Sequence, residues 1–197
     1  MKITYAFLFL LCLCLAGCAM FTPTPGEHYL SWQARQKQLT ALNSWNLQSA
    51  VGIKNLKQRI TAHVNWQQAD NNYILNITSQ FNIGGVKIVG DSNQVILWRS
   101  TTNKFVAKNP EELMFKELGW SLPVSNLRHW ILGLPVPNKT HILQFDAYNH
   151  LIHLQQQGWH VSYADFISVD NIDLPTTILL TNAKLQIKIV IKEWRLS

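Results

Sequence analysis

The stretch Trp45-Asn46-Leu47-Gln48-Ser49-Ala50-Val51-Gly52-Ile53 decides the fold. Trp45, Leu47, Ser49, Val51 and Ile53 share one parity, and Asn46, Gln48, Ala50 and Gly52 the other. Side chains on a strand alternate between faces, so the period of two makes this a half-buried β-strand. The period continues outward. After a turn at Lys54-Asn55, Ile60, Ala62, Val64 and Trp66 alternate with Arg59, Thr61, His63 and Asn65. Polar residues 67–72 end that strand, and Tyr73, Leu75 and Ile77 begin a third. Short polar turns between such runs are the mark of an antiparallel meander.

Further strands are expected over 86–90, 94–99 and 103–107, then over 141–146, 151–157, 159–164, 176–181 and 184–194. In the last, Leu185, Ile187, Ile189 and Ile191 face in while Lys184, Gln186, Lys188 and Lys192 face out, as suits a strand edge or a solvent face. The total, roughly ten to twelve strands, exceeds what a flat sheet with one wet side accommodates. Curling into an open or closed barrel around the apolar side chains is the economical solution. Two short helices interrupt the strands. Asn109-Pro110-Glu111-Glu112 combines a side-chain cap, a first-turn proline and carboxylates at the positive end of the helix dipole, and Gly119 stops that helix. Ser125 is read as the cap of a second helix over 126–132, with Leu127, Trp130 and Ile131 at helical spacing. Both are more apolar than a surface turn requires, so the fold class is mainly β with short helices lying as plugs or lids against a curved sheet.

Upstream of the strands, Glu27 to Asn43 has a loose helical period in Leu30, Ala34, Leu39 and Leu42 and reads as an amphipathic helix that packs on the sheet. Residues 1–17 read as a signal peptide: Lys2, an apolar run from Tyr5 to Leu15 too short to span a bilayer, then small residues ending at Leu15-Ala16-Gly17-Cys18. Small residues followed directly by Cys form a bacterial lipoprotein signal, so Cys18 is the expected lipidation site and first mature residue. Residues 18–26, with Pro23, Pro25 and Gly26, form a lipidated tether, and 27–197 a single domain. Cys12 and Cys14 leave with the signal, so no intramolecular disulfide is expected.

The formal charge of +6 is modest and its Lys and Arg are scattered, which argues against a nucleic-acid partner. Eight Trp with only 14% charged residues is unusually apolar for such a domain; the chain has a large core or lines a cavity. Catalysis finds no support: there is no HExxH, no GxSxG, no nucleophilic Cys and no phosphate-cradling loop. His150 and His153 are three apart, which places them on opposite faces of a strand and argues against a shared metal. No metal, no catalytic residue and no dissociable cofactor are expected. Arg128, among apolar neighbours, calls for a structural partner. The connection Ser79-Gln80-Phe81-Asn82-Ile83-Gly84-Gly85 is more apolar than a turn needs: Phe81 and Ile83 either tuck under the sheet or form an exposed apolar finger.

Residues 126–135, Asn-Leu-Arg-His-Trp-Ile-Leu-Gly-Leu-Pro, resemble the Leu-Arg-x-Trp-Ile-Leu-Gly-Leu-Pro signature of the LolB family of outer-membrane lipoprotein receptors. The lipobox at 15–18, the first strand at Trp45, the strand end Asn65-Trp66-Gln67 and Trp194 near the C-terminus agree with it. The resemblance implies an incomplete barrel whose helical lid covers a cavity for acyl chains, with diacylglycerol and an N-acyl chain on Cys18. It implies the periplasmic carrier LolA, acylated cargo lipoproteins and outer-membrane lipid as partners of a monomer that faces the periplasm. Ala19 stands where inner-membrane lipoproteins carry Asp, which favours the outer membrane. In that family the connection after the third strand exposes a Leu that helps place cargo in the membrane; Phe81 falls at that position, and both Phe81 and Ile83 are candidate tips. The expected cavity and lid residues are Trp45, Trp66, Leu127, Trp130 and Ile131, against the alternative that these side chains are plain core. A carrier or sensor for another amphiphile, or a structural lipoprotein with a solid interior, are the competing readings; a continuous pocket beneath residues 126–132 would favour transport and a filled interior would oppose it.

Overall fold

Alternation along the chain becomes an inner and an outer face of one continuous sheet. The structure, a computed structural model, describes residues 29–56, 59–79 and 85–197. Cys18, Phe81 and Ile83 lie outside the described residues. Strand β1 (Ser44–Lys54) buries Trp45, Leu47, Ser49, Val51 and Ile53, the parity read from the sequence. It pairs antiparallel with β2 (Arg59–Ala69), which continues into β3 (Asn72–Ser79), β4 (Val86–Gly90), β5 (Val95–Trp98) and β6 (Lys104–Ala107). The second half of the chain adds β7 (His141–Phe145), β8 (Leu151–Gln156), β9 (Trp159–Val169), β10 (Ile172–Thr181) and β11 (Gln186–Leu196).

The eleven strands form a single sheet in the order β6-β5-β4-β3-β2-β1-β11-β10-β9-β8-β7. Every neighbouring pair is antiparallel. β11 therefore lies in the centre, between β1 and β10, and its lysines mark a solvent face rather than an edge. The edges are β6 and β7, the strands that flank the two helices in the chain. A bulge between Gln48 and Ser49 opposite β11 shifts the alternation there, so Trp194 joins Ile187, Ile189 and Ile191 inside. β9 and β10 are longer than their apolar patterns predict. Asp165 adopts φ 56° and its carbonyl accepts from the Thr176 hydroxyl at 2.7 Å, a local irregularity beyond which the hairpin runs on to Asp170 and Asn171.

Helix α1 (Trp32–Thr40) is shorter than the expected 27–43 stretch. It starts after Ser31, whose hydroxyl accepts from the Ala34 N–H, and Tyr29 and Leu30 precede it as irregular chain. Leu39 and Leu42 face the core as expected, but Trp32 and Arg35 join them in place of Leu30 and Ala34: a charged residue occupies a core-facing position, which a hydropathy pattern reads as outward. α2 (Pro110–Leu118) has the anticipated Asn109 cap, with the Glu112 N–H donating at 2.8 Å, and ends on Gly119 at φ 77°. α3 (Val124–Trp130) begins two residues before the expected start, after Pro123, and Ser125 is not its cap. Instead Glu111 on α2 accepts from the Ser125 N–H at 2.8 Å and from its hydroxyl at 3.1 Å. A carboxylate from one helix thus satisfies an orphan donor in the first turn of the next and clamps the two together.

Candidate lipid-handling face beneath the helical lid

The inner face of the sheet is an apolar surface, and α3 is the lid on it. Trp45 and Trp66 occupy neighbouring inward positions on β1 and β2 with ring centroids 5.4 Å apart; Trp194 meets Trp45 edge-on at 5.5 Å. From the lid, Leu127, Trp130 and Ile131 reach down to 0–1% exposure and join the same cluster. All five residues expected at the cavity are therefore brought into one apolar core. Leu75, Ile88 and Leu97 from one half of the sheet and Leu154, Val161 and Ile178 from the other complete it.

With the lid seated, Leu127, Trp130 and Ile131 pack directly into this cluster. A pocket of about 400 Å³ opens at the lid's margin, between α1, the chain after α3, the start of β1 and the end of β2. Its walls include Leu39, Leu42, Trp45, Leu132, Leu134 and Val136, with Gln68, Arg128, His129 and His141 among its polar groups. Trp45 thus belongs both to the core and to the wall of an accessible pocket.

Side-chain hydrogen bonds hold the lid and the chain that follows it, and Gln156 makes four of them. Gln156, at the end of β8, is 3% exposed. Its Oε1 accepts from Trp130 Nε1 at 2.9 Å and from the Val136 N–H at 2.8 Å, while its Nε2 donates to the Val136 carbonyl at 2.9 Å and the Lys139 carbonyl at 3.3 Å. The Tyr163 hydroxyl on β9 donates to the Trp130 carbonyl at 2.8 Å, and burial pushes that phenol far up in pKa. Toward the other half of the sheet, Arg128 donates to Asn71 Oδ1 in the β2–β3 turn at 3.2 Å, which supplies the partner its apolar surroundings called for. His129 beside it is pulled down to about 4, first by burial and then by the Arg128 charge, so the lid carries a neutral imidazole at neutral pH.

Sequence reasoning missed Gln156 and Tyr163 as lid anchors. The available signal was parity: Gln156 follows Leu154, and Tyr163 follows Val161, at a spacing of two in the inward phase. It also missed a buried ionic cluster. His150 is 3% exposed; its Nδ1 lies 2.8 Å from Asp146 Oδ2 and its Nε2 3.0 Å from Asp173 Oδ2. His153, by contrast, faces out and meets the Ser162 hydroxyl at 3.0 Å. The two histidines go to different partners on opposite faces, as their spacing requires.

An antiparallel sheet left open between its edges, with a helical cover on its apolar inner face, places the fold in the half-open barrel class. A LolA superfamily protein from Nitrosomonas europaea has this fold, with a TM-score of 0.56 at 10% identity over 85% of this chain and 94% of that one. Within that class the chain belongs to the LolB family: the model for "Outer membrane lipoprotein LolB" matches residues 43–194. An outer-membrane lipoprotein LolB from Coxiella burnetii is 39% identical over 187 residues, 93% of this chain and 89% of that protein. One from Nitrosococcus oceani is 34% identical over 185 residues, covering 92% of both.

Proposed function

We propose that this protein receives lipoproteins from a periplasmic carrier, LolA, encloses their acyl chains between the inner face of the sheet and the lid, and releases them into the outer membrane. The observation that carries this reading is the lid itself. Its apolar side is fully buried, yet it is joined to the sheet by side-chain hydrogen bonds instead of a strand pairing that would close the barrel.

The energetics suit an exchange. Lifting the lid exposes Leu127, Trp130 and Ile131, at a cost of about 1.5–3 kcal/mol for each large apolar side chain. An acyl chain returns about 0.8 kcal/mol for every methylene buried. A cargo with several chains therefore outweighs the lid's own closure, and the empty protein shuts over its apolar surface in water. Burial is non-directional, so cargo can be passed on without bond chemistry wherever lipid offers an equal environment. The lid packed onto the sheet is, on this reading, the unloaded state, and the pocket walled in part by Trp45 is where a chain first enters.

Cys18, carrying diacylglycerol and an N-acyl chain, would hold the domain to the outer membrane, and Phe81 with Ile83 would meet the bilayer at the moment of release. The protein acts as a monomer in this scheme. Purified carrier loaded with radiolabelled lipoprotein is mixed with this protein in outer-membrane vesicles; label is expected to leave the carrier and enter the bilayer. If the label stays on the carrier, the receptor reading is wrong.

A further inference from the structure

At one end of the sheet's first half every charged side chain is basic. Lys54 at the end of β1 stands opposite Arg59 at the start of β2. At the same end, where β3 finishes and β4 begins, Lys87 stands opposite Trp98, and Trp98 opposite Lys104. All lie on the outer face: Lys54, Arg59, Lys87 and Lys104 are exposed, Trp98 is half-buried, and Arg99 follows it into the exposed turn before β6. Lys104 Nζ sits 5.3 Å over the Trp98 ring. Leu56, in the turn between Lys54 and Arg59, is fully exposed.

Two features suit this end to an anion. The stretches 52–61, 77–88 and 97–105 contain no Asp or Glu, whereas Asp70 and Asp91 fall in the turns at the other end of the same strands. Moreover, like charges directly opposite on paired strands destabilise a sheet, and Lys54 and Arg59 face each other with no acidic side chain in either strand to relieve them. An external anionic surface would offset that repulsion. A tryptophan flanked by lysines and a bare leucine at a turn are the side chains that settle at a membrane's headgroup level.

We propose that this end of β1–β6, comprising Lys54, Arg59, Lys87, Trp98, Arg99 and Lys104, is a docking surface for anionic phospholipid headgroups. It deepens the membrane-delivery reading and rests on it: the lipid on Cys18 fixes the protein to a bilayer, and the basic end orients the domain on it. Each basic residue brought near an anionic surface raises its occupancy about fivefold, and salt screens the effect.

The test uses the full, lipidated protein reconstituted in vesicles of phosphatidylcholine alone or with about 30% phosphatidylglycerol, a fraction that gives a strongly negative surface. Amine acylation rates are read residue by residue by mass spectrometry. Lys54, Lys87 and Lys104 are expected to label about fivefold more slowly on the anionic vesicles and to recover in salt of about 0.5 M, while Lys37 on α1 and Lys139 after the lid stay unchanged. Equal rates on both vesicles overturn the proposal. Protection that appears only when carrier is added overturns it too, and makes this end a protein-docking surface instead. Radiolabel transfer from the carrier, followed in the same vesicles, separates the two readings: transfer without lysine protection removes the docking surface and leaves the receptor, and protection without transfer does the reverse.

Discussion

Arg35 Nη1 and Asp173 Oδ2 lie 3.0 Å apart although 138 residues separate them in the chain. The pair ties α1 to the start of β10. Around it, Arg35 Nη2 donates to the Tyr148 carbonyl at 3.2 Å, His150 bridges Asp173 and Asp146, and Phe166 stacks on the His150 ring at 4.4 Å. Desolvation works to raise the Asp173 carboxyl, but the His150 hydrogen bond and then Arg35 outweigh it and hold it below its ordinary value. The ion pair is thus what permits a charged residue to occupy the inner side of α1.

Removing one partner of a buried pair strands the other, which costs about 3–5 kcal/mol. Asp173→Asn and Arg35→Met are each expected to lose that much in urea titrations at neutral pH. The acid limb gives the sign. A carboxylate held low in the folded state stabilises it above the unfolded value of about 3.9 and loses that contribution as pH falls through the folded value. Wild-type stability should therefore drop steeply below about pH 4, and the curve for Asp173→Asn should be flatter there. Parallel curves for the two proteins would show that Asp173 is not the titrating group.

Gln156→Leu keeps the side chain's bulk but leaves Trp130 Nε1 and both backbone groups of Val136 without their partner. Each orphaned buried group costs about 1–3 kcal/mol, so the lid rather than the sheet should loosen. Hydrogen exchange is expected to quicken for amides 126–139 while β1, β2 and β11 keep their protection. A uniform increase across the sheet would mean that Gln156 supports the whole fold.

His129 gives the lid a separate response to acid. Its folded value near 4 lies below the ordinary 6.5, so between those limits the unfolded chain binds a proton that the folded one does not. Its contribution is complete above about pH 6.5 and declines as pH falls toward 4. His129→Gln should lessen the loss of thermal stability between neutral pH and pH 5, and the wild-type ring should titrate near 4 by NMR. A ring that titrates near 6.5 would place His129 in water.

Gly90 on β4 faces Tyr73 on β3, and a Cβ there would fall on the phenol ring. Burial, with Glu111 and Asp91 adding repulsion, pushes that phenol up to about 12. Gly90→Ala should drive the ring outward, at a cost of about 1–3 kcal/mol. Spectrophotometric titration would then follow Tyr73 falling toward the free value of about 10. An unshifted phenol would mean the sheet had moved instead of the ring.

The sequence by itself determined the inner and outer faces. Period two in Trp45–Ile53, Ile60–Trp66 and Leu185–Ile191 is a local property of the chain, because a strand has only two sides and water sorts them. The helix start at Asn109-Pro110 was legible for a like reason, since cap and dipole act within one turn. Only tertiary structure decided what lies beside what. That β11 is central instead of an edge, that Glu111 holds the first turn of α3, that Gln156 anchors the lid and that Arg35 is inside all depend on partners far away in sequence. A polar side chain at a core-facing position carries no local mark of the group that will satisfy it. The lid's apolar residues could be read from the chain; the hydrogen bonds that keep it closed could not, because they exist only once the two halves of the sheet have curled around it.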